Sequence, residues 1–435
     1  MRKFIFGLIL LIGGFAVAQD SVRVLTLQEC LNMASSRNLT IKQNQNNLIG
    51  AQSNKRQAYY NFLPNLNASG GYTYFDGNNI DFSGQVVSNT SRSSRPSISS
   101  NLVLFNAFAN HHLLNRRKHE YESSRYQLED SKIAIKATVI RNYLSVLVDT
   151  ENVRISDQRL EFLEEQLDRE KKRVSVGVGN LETVYNFQSQ VANEKLNNVN
   201  LNNQYQSDLL ALLQSIQLEN YSGVRIAPLD LESLEILIEY DPFDQVLEEI
   251  MQYSFLLKSA EESESAANAQ LKQTKANRYP TLTAGAAHSR NYTSILDVEY
   301  LEQFENTPSN SVGVTLNIPI FNRYQIQNGI NNSKVTMLNA QLQNEQTILN
   351  VTNAAQRDYL DLVSAQTSFK TAQENYEALN QTFEFIKKRF ETGNTDFYSY
   401  LESLNNKNRA EAQLINAKYT IVLRKRILNL YRGNN

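Results

Sequence analysis

Three histidines, His111, His112 and His119, fall within nine residues, and His112 and His119 are one heptad apart. Imidazoles at that spacing could hold zinc or copper. A metal centre needs further ligands, however, and no cysteine or acidic cluster lies on the same turn. The reading preferred is three polar surface residues at the start of a long helix. Cys30 is the only cysteine, so the chain makes no internal disulfide. Leu27, Cys30, Leu31 and Ala34 share one helical face, which makes Cys30 a core residue rather than a reactive thiol. Gly177 and Gly179 resemble a phosphate loop, but they follow a helix and not a strand. The chain has no nucleophile elbow and no metalloprotease helix motif. No catalytic, cofactor or metal site is expected.

What does recur is a turn. Lys387-Lys388-Arg389-Phe390-Glu391-Thr392-Gly393 repeats Lys171-Lys172-Arg173-Val174-Ser175-Val176-Gly177 at an offset of 393 − 177 = 216 residues. The same offset, without gaps, joins Leu31 to Leu247, Pro64 to Pro280, Phe105 to Phe321, Asn106 to Asn322 and Tyr143 to Tyr359. An internal duplication follows. The organisation expected is a signal segment at 1–18, a first repeat at 19–228 and a second at 229–435. In each repeat a helix leads to a β-hairpin (about 65–105, then about 281–320). A long helix, a glycine turn (177–180, then 393–396) and a return helix follow.

The bulk numbers agree with an exported, folded protein. Arg2 and Lys3, the apolar run Phe4–Phe15 and Ala16-Val17-Ala18 read as a cleavable signal. The formal net charge of −2 among 435 residues gives no reason to expect nucleic acid as a partner. No other stretch is apolar enough to cross a membrane as a helix, so any spanning structure must be a closed β-barrel.

Thr26-Leu27-Gln28-Glu29 reads as a capping box opening a helix that continues to Leu63. Pro64 stops it, and Leu66–Tyr74 then alternates as a strand does. Asp76–Ser94, rich in Gly, Asn and Ser, reads as a loop. Ile98, Ser100, Leu102 and Leu104 mark one face of the next strand. Ala107–Lys172 lacks glycine and proline, with a sparse apolar seam through Val139, Tyr143, Val146, Leu160, Leu163 and Leu167. Asp241-Pro242 opens the second repeat, with Asp as N-cap and Pro at the first helical position. A helix over Phe243–Tyr279, a loop over Asn291–Asn310 and a strand over Val312–Ile320 follow.

Four strands cannot close a membrane barrel alone, since single-chain bacterial barrels begin at about eight. They must be pooled between subunits, with Leu66, Tyr72, Leu102, Leu104, Val314, Leu316 and Ile318 toward lipid. The signal, the duplicated helix–hairpin–helix order, the Leu-Pro-Asn-Leu and Phe-Asn marks and the Arg-x-x-x-Gly turns resemble the TolC-like outer-membrane factor family. The resemblance implies a mainly α protein with a small β part. In it a trimeric outer-membrane β-barrel continues into a long periplasmic α-helical barrel. It also implies the exit duct of a tripartite efflux pump, working with a periplasmic adaptor and an inner-membrane transporter. The alternatives are the outer-membrane component of a type I secretion system or, in a different class, a non-porous periplasmic coiled-coil scaffold.

By the same resemblance, Arg173, Val176, Gly177, Arg389, Thr392 and Gly393 are the adaptor-docking tips. The constriction falls near Phe390, Asp396, Tyr398, Ser399 and Glu402. Family members place acidic residues six and nine positions after the second glycine. Here Ser399 departs from that pattern and Glu402 keeps it. Arg389, Asp396 and Tyr398 are expected to tie the closed tip together.

Overall fold

The computed structural model describes residues 23–80, 82–218, 223–229 and 241–433. The signal segment and nearly all of the acidic-apolar stretch before Asp241 lie outside the described residues. The first half runs β1 (Arg23–Leu25), α1 (Leu27–Arg37), α2 (Leu39–Tyr60), β2 (Asn67–Ser69), β3 (Tyr72–Ile80), β4 (Val86–Ser94), β5 (Ser97–Phe105), α3 (Ala109–Ser175), α4 (Leu181–Ser215) and β6 (Val224–Ile226). The second runs α5 (Phe243–Tyr253), α6 (Phe255–Ala276), β7 (Thr281–Arg290), β8 (Tyr292–Thr293), α7 (Tyr300–Asn306), β9 (Pro308–Asn317), α8 (Gln325–Glu391) and α9 (Phe397–Tyr431). Helices pair in length: α1 with α5 at 11 residues, α2 with α6 at 22, α3 with α8 at 67 and α4 with α9 at 35. At 1.5 Å per residue the longest are about 100 Å long. None of the helices among the described residues is long and apolar enough to cross a membrane.

The capping box forms as expected, with Glu29 accepting from Thr26 N at 2.8 Å and Thr26 Oγ1 accepting from Glu29 N at 3.2 Å. The first helical run does not reach Leu63 unbroken. Asn38 leaves the helical conformation and its Oδ1 accepts from Thr40 N and Ile41 N, ending α1 and capping α2. Ser254 does the same between α5 and α6. Both are short polar side chains that compete for backbone donors. The second repeat also opens one residue later than expected. Pro242 is the N-cap of α5, and the Asp241 carboxylate instead meets Arg432 at 2.6 Å.

The sheet corrects the two loops. Asp76–Ser94 is mostly strand: β3 and β4 pair antiparallel from Tyr72↔Ser94 to Ile80↔Val86. Asn291–Asn310 contains β8, all of α7 and the start of β9. β2 pairs with β5 and β3 with β4; β7 and β8 then lie along β5 and β4. Four strand lines result, in chain order, and β9 pairs with β7 from Thr281↔Asn317 to Arg290↔Pro308. The outer edges are β2–β3 on one side and, on the other, β9 beside β7 with β8 ending the three-stranded part. A bulge between Val103 and Phe105 takes Leu104 out of the row that Leu102 occupies.

The main core joins α1, α3, α4 and α9 around β1 and β6. Tyr143 is fully buried there, and its hydroxyl donates toward Ala227 O at 2.6 Å and Leu25 O at 3.2 Å. Cys30 is buried beside it, and burial pushes the thiol up to about 11, which leaves it unreactive at neutral pH. The turn from strand to helix is made twice by paired left-handed residues, Ala107 and Phe108 before α3 and Arg323 and Tyr324 before α8. None is glycine, so each stores backbone strain of about 1 kcal/mol or more.

Candidate functional site

The ends of α3 and α8 carry the residues expected at the docking tips. Both close as Schellman turns. Gly177 N donates to Val174 O and Val178 N to Arg173 O; Gly393 N donates to Phe390 O and Asn394 N to Arg389 O. Gly177 and Gly393 have φ of +81° and +75°, the left-handed region that admits glycine without cost. Nothing lies within 4 Å of a Cβ placed at either position. Gly179 differs: a Cβ there would meet Val174 N at 2.6 Å and the Arg173 carbonyl carbon at 2.8 Å. Sequence reading treated Gly179 only as part of the turn; the close approach of two backbones is what excludes a side chain. We expect Gly179→Ala to displace the turn, at a cost of about 1–3 kcal/mol. Limited proteolysis between 173 and 181 should then run about tenfold faster. Gly177→Asn should leave the cleavage rate unchanged, because asparagine tolerates that φ.

The tip surface is apolar where the turn is widest: Val176 is 72% exposed and Val178 68%. Arg173 is held by Glu170 at 3.0 Å. Thr392 is exposed, and its hydroxyl donates to Lys388 O and Arg389 O.

The residues expected at the constriction divide into two groups. Phe390 turns inward and stacks on Tyr400, with ring centroids 4.6 Å apart and planes at 18°. Phe162, Phe187, Phe383 and Phe397 join them in one aromatic cluster binding α3, α4, α8 and α9 near the tips. Tyr400 is 1% exposed, and sequence reading missed it as the centre of this cluster. Tyr398, Ser399 and Glu402 lie on the more open side of α9: Tyr398 and Glu402 are exposed and Ser399 is half-buried. Asp396 is the N-cap of α9, accepting from Ser399 N at 2.9 Å and Ser399 Oγ at 2.7 Å. Those bonds hold its carboxyl below the usual carboxylate range. Arg389 donates to Asn394 O at 3.0 Å and makes no pair with Asp396. Within the chain the Asp396 carboxylate also takes a backbone hydrogen bond from Tyr398, while Arg389 is turned to Asn394. A local cap satisfies the aspartate first.

The histidines do not converge. His111 packs edge-on against Phe62 and Phe108, while His119 Nδ1 lies 2.6 Å from Glu262. No cluster of three potential metal-ligating side chains occurs among the described residues.

Comparison with known proteins matches this architecture. The structure superposes on CusC with a TM-score of 0.82 at 14% identity, covering 94% of this chain and 92% of that one. VceC from Vibrio cholerae gives 0.77 at 14%, covering 94% and 96%. The CmeC outer membrane channel of Campylobacter jejuni gives 0.76 at 15%, covering 94% and 85%. No curated protein sequence matches. The family model described as outer membrane efflux protein matches residues 30–216 and 246–433. Those spans start 246 − 30 = 216 residues apart and take in both tips, both long helix pairs and most of the sheet. The chain belongs to the outer membrane efflux protein family.

Proposed function

We propose that three copies of this chain form the outer-membrane exit duct of a tripartite efflux pump. The observation that carries this reading is the sheet. Its four strand lines have two free edges, and β9 is exposed along its whole length. Val312, Val314, Leu316, Ile318 and Ile320 form an exposed apolar row, with Ser311, Thr315 and Asn317 opposite. An open edge is untenable in lipid. β9 and β2–β3 run antiparallel, so the β9 of one copy can add to the β2–β3 of the next. Three copies supply ~12 strands, enough for an open lumen. The scaffold alternative leaves this two-faced sheet without a purpose.

The long helices continue the duct into the periplasm. Their exposed apolar residues, such as Leu196 and Val199 on α4 and Val335 and Leu342 on α8, fit contacts with neighbouring copies. The tips then face an adaptor, with Val176 and Val178 offering apolar contact beside the Arg173 and Arg389 guanidiniums. Drawn together by threefold symmetry, Glu402 of each copy makes a ring of three carboxylates near the tip. Among the described residues no cation pairs with Glu402. Such a ring favours cations and binds divalent ones.

Planar-bilayer recording tests the assignment. Glu402→Ala should reduce cation preference about twofold to fivefold and abolish block by divalent cations. Unchanged selectivity and unchanged block would place Glu402 outside the constriction.

A further inference from the structure

We propose that the corner where β9 passes into α8 binds the phosphate of a phospholipid headgroup in the periplasm-facing leaflet of the outer membrane. This rests on the membrane-duct reading. An open cavity of about 440 Å³ lies there, lined by Arg278, Phe321, Arg323, Tyr324 and Gln327 among others, with no carboxylate in its wall. Arg278 Nη2 donates to the Gln327 side-chain oxygen, which fixes one guanidinium at the rim. Neither arginine has a carboxylate partner among the described residues. Two guanidiniums without a carboxylate partner around one cavity match a phosphodiester, which accepts forked hydrogen bonds from each. No side chain caps the first turn of α8, so its partial positive charge adds to theirs.

Comparison with the first repeat sharpens the assignment. The residues 216 positions earlier are Phe62 for Arg278, Ala107 for Arg323, Phe108 for Tyr324 and His111 for Gln327. There the rings occupy the corner, with Phe62 and His111 centroids 5.4 Å apart and Phe108 and His111 6.3 Å apart. One corner of a repeated backbone is filled by rings packed edge to face; the other carries two arginines around open space.

Position selects a lipid. Arg278 precedes β7 by three residues, and Arg323 follows β9 closely, so both stand at the foot of the sheet. Ile320 is 94% exposed and Phe321 84%, and Tyr279 and Tyr324 are exposed beside them. Aromatic side chains gather at a bilayer–water interface, where headgroup phosphates lie. Acyl chains below such a phosphate would run along the apolar row of β9.

Native mass spectrometry of the intact trimer, titrated with phosphatidylglycerol, tests the site. The wild type should retain up to three lipids per trimer, and R278Q/R323Q should retain about tenfold less. R125Q/K132Q, which removes two basic residues from α3, should retain as much as the wild type. Equal retention by wild type and R278Q/R323Q would overturn the site. Displacement of the lipid by an equal concentration of inorganic phosphate would overturn the lipid assignment in favour of free phosphate. Should the double variant not assemble, R323Q at its exposed position carries the test, with a twofold to threefold loss expected and no loss contradicting it. A wild-type spectrum with no trimer would count against the duct reading instead.

Discussion

Leu316→Arg is expected to eliminate assembled protein from the membrane fraction, whereas Thr315→Arg, one residue away, is not. Leu316 is the third of five exposed apolar residues from Val312 to Ile320, of which Ile318 and Ile320 follow the end of β9 at Asn317. It pairs with Leu282 on β7, so its face is set by a register that cannot slip without inverting the strand. An arginine on the lipid face of a barrel costs up to about 2–4 kcal/mol, depending on depth. Three copies in one barrel cost up to about 6–12 kcal/mol, comparable with the whole stability of a typical domain. Thr315 faces the opposite side, opposite Thr283. A charge there stands in the water-filled lumen and should change ion selectivity only. Trimer recovered from membranes and separated by gel at low temperature reads both outcomes. Assembly of Leu316→Arg at wild-type yield would mean that this row does not face lipid.

Asp149→Asn is expected to stabilise the protein at pH 8 and leave it unchanged at pH 4. Asp149 on α3 is 9% exposed, and one of its oxygens has no hydrogen-bond partner. Burial, then a hydrogen bond to Asp208 on α4, then the charge of Asp208, push its carboxyl up to about 7. The pair borders a cavity of about 210 Å³, where Arg141 and Tyr419 are the other titratable groups. The folded chain thus holds a proton that an unfolded carboxylate releases near pH 4. Between about pH 4 and 7 the native state binds more protons than the unfolded one, so this group's contribution falls as pH rises. The full penalty, up to about 4 kcal/mol, applies above pH 7. An amide keeps the hydrogen bond to Asp208 without a proton to lose. The thermal midpoint of the wild type should therefore fall relative to Asp149→Asn from pH 5 to 8. Parallel curves would show that the two carboxylates do not share a proton.

The same crossing in the second repeat shows what was avoided there. Ser145, Asp149 and Asp208 correspond to Asp361, Ala365 and Arg424. Arg424 and Asp361 form an ordinary ion pair at 2.9 Å. The second repeat sets opposite charges across this crossing, the first two carboxyl groups. That difference could be read from the aligned sequence only once the two helices were known to face each other.

Legibility followed the physics of each element. Pro64 and Pro280 end helices because proline lacks a donor and clashes with the preceding turn, so those boundaries stand out. Gly177 and Gly393 mark turns because left-handed φ selects glycine. The corners at Ala107-Phe108 and Arg323-Tyr324 adopt left-handed φ without glycine, so nothing in residue type betrays them. β4 and the part of β3 from Asp76 onward escape sequence reading because Asp76, Asn78, Ser88, Asn89 and Ser91 lack the alternation that a half-buried strand requires. Their pairing with each other and with β8 extends the sheet without a buried face. The breaks at Asn38 and Ser254 were hidden because asparagine and serine are tolerated inside helices and become caps only where packing turns the chain. Among the candidate site residues, Phe390 is expected from the resemblance at the constriction; only the fold brings it against Tyr400.

The central claim is that strands from three chains close one barrel. Native mass measurement of protein extracted from the outer membrane in mild detergent tests it most directly. A particle of three chains that needs detergent to remain in solution is expected. A particle of one chain, soluble without detergent, would contradict it.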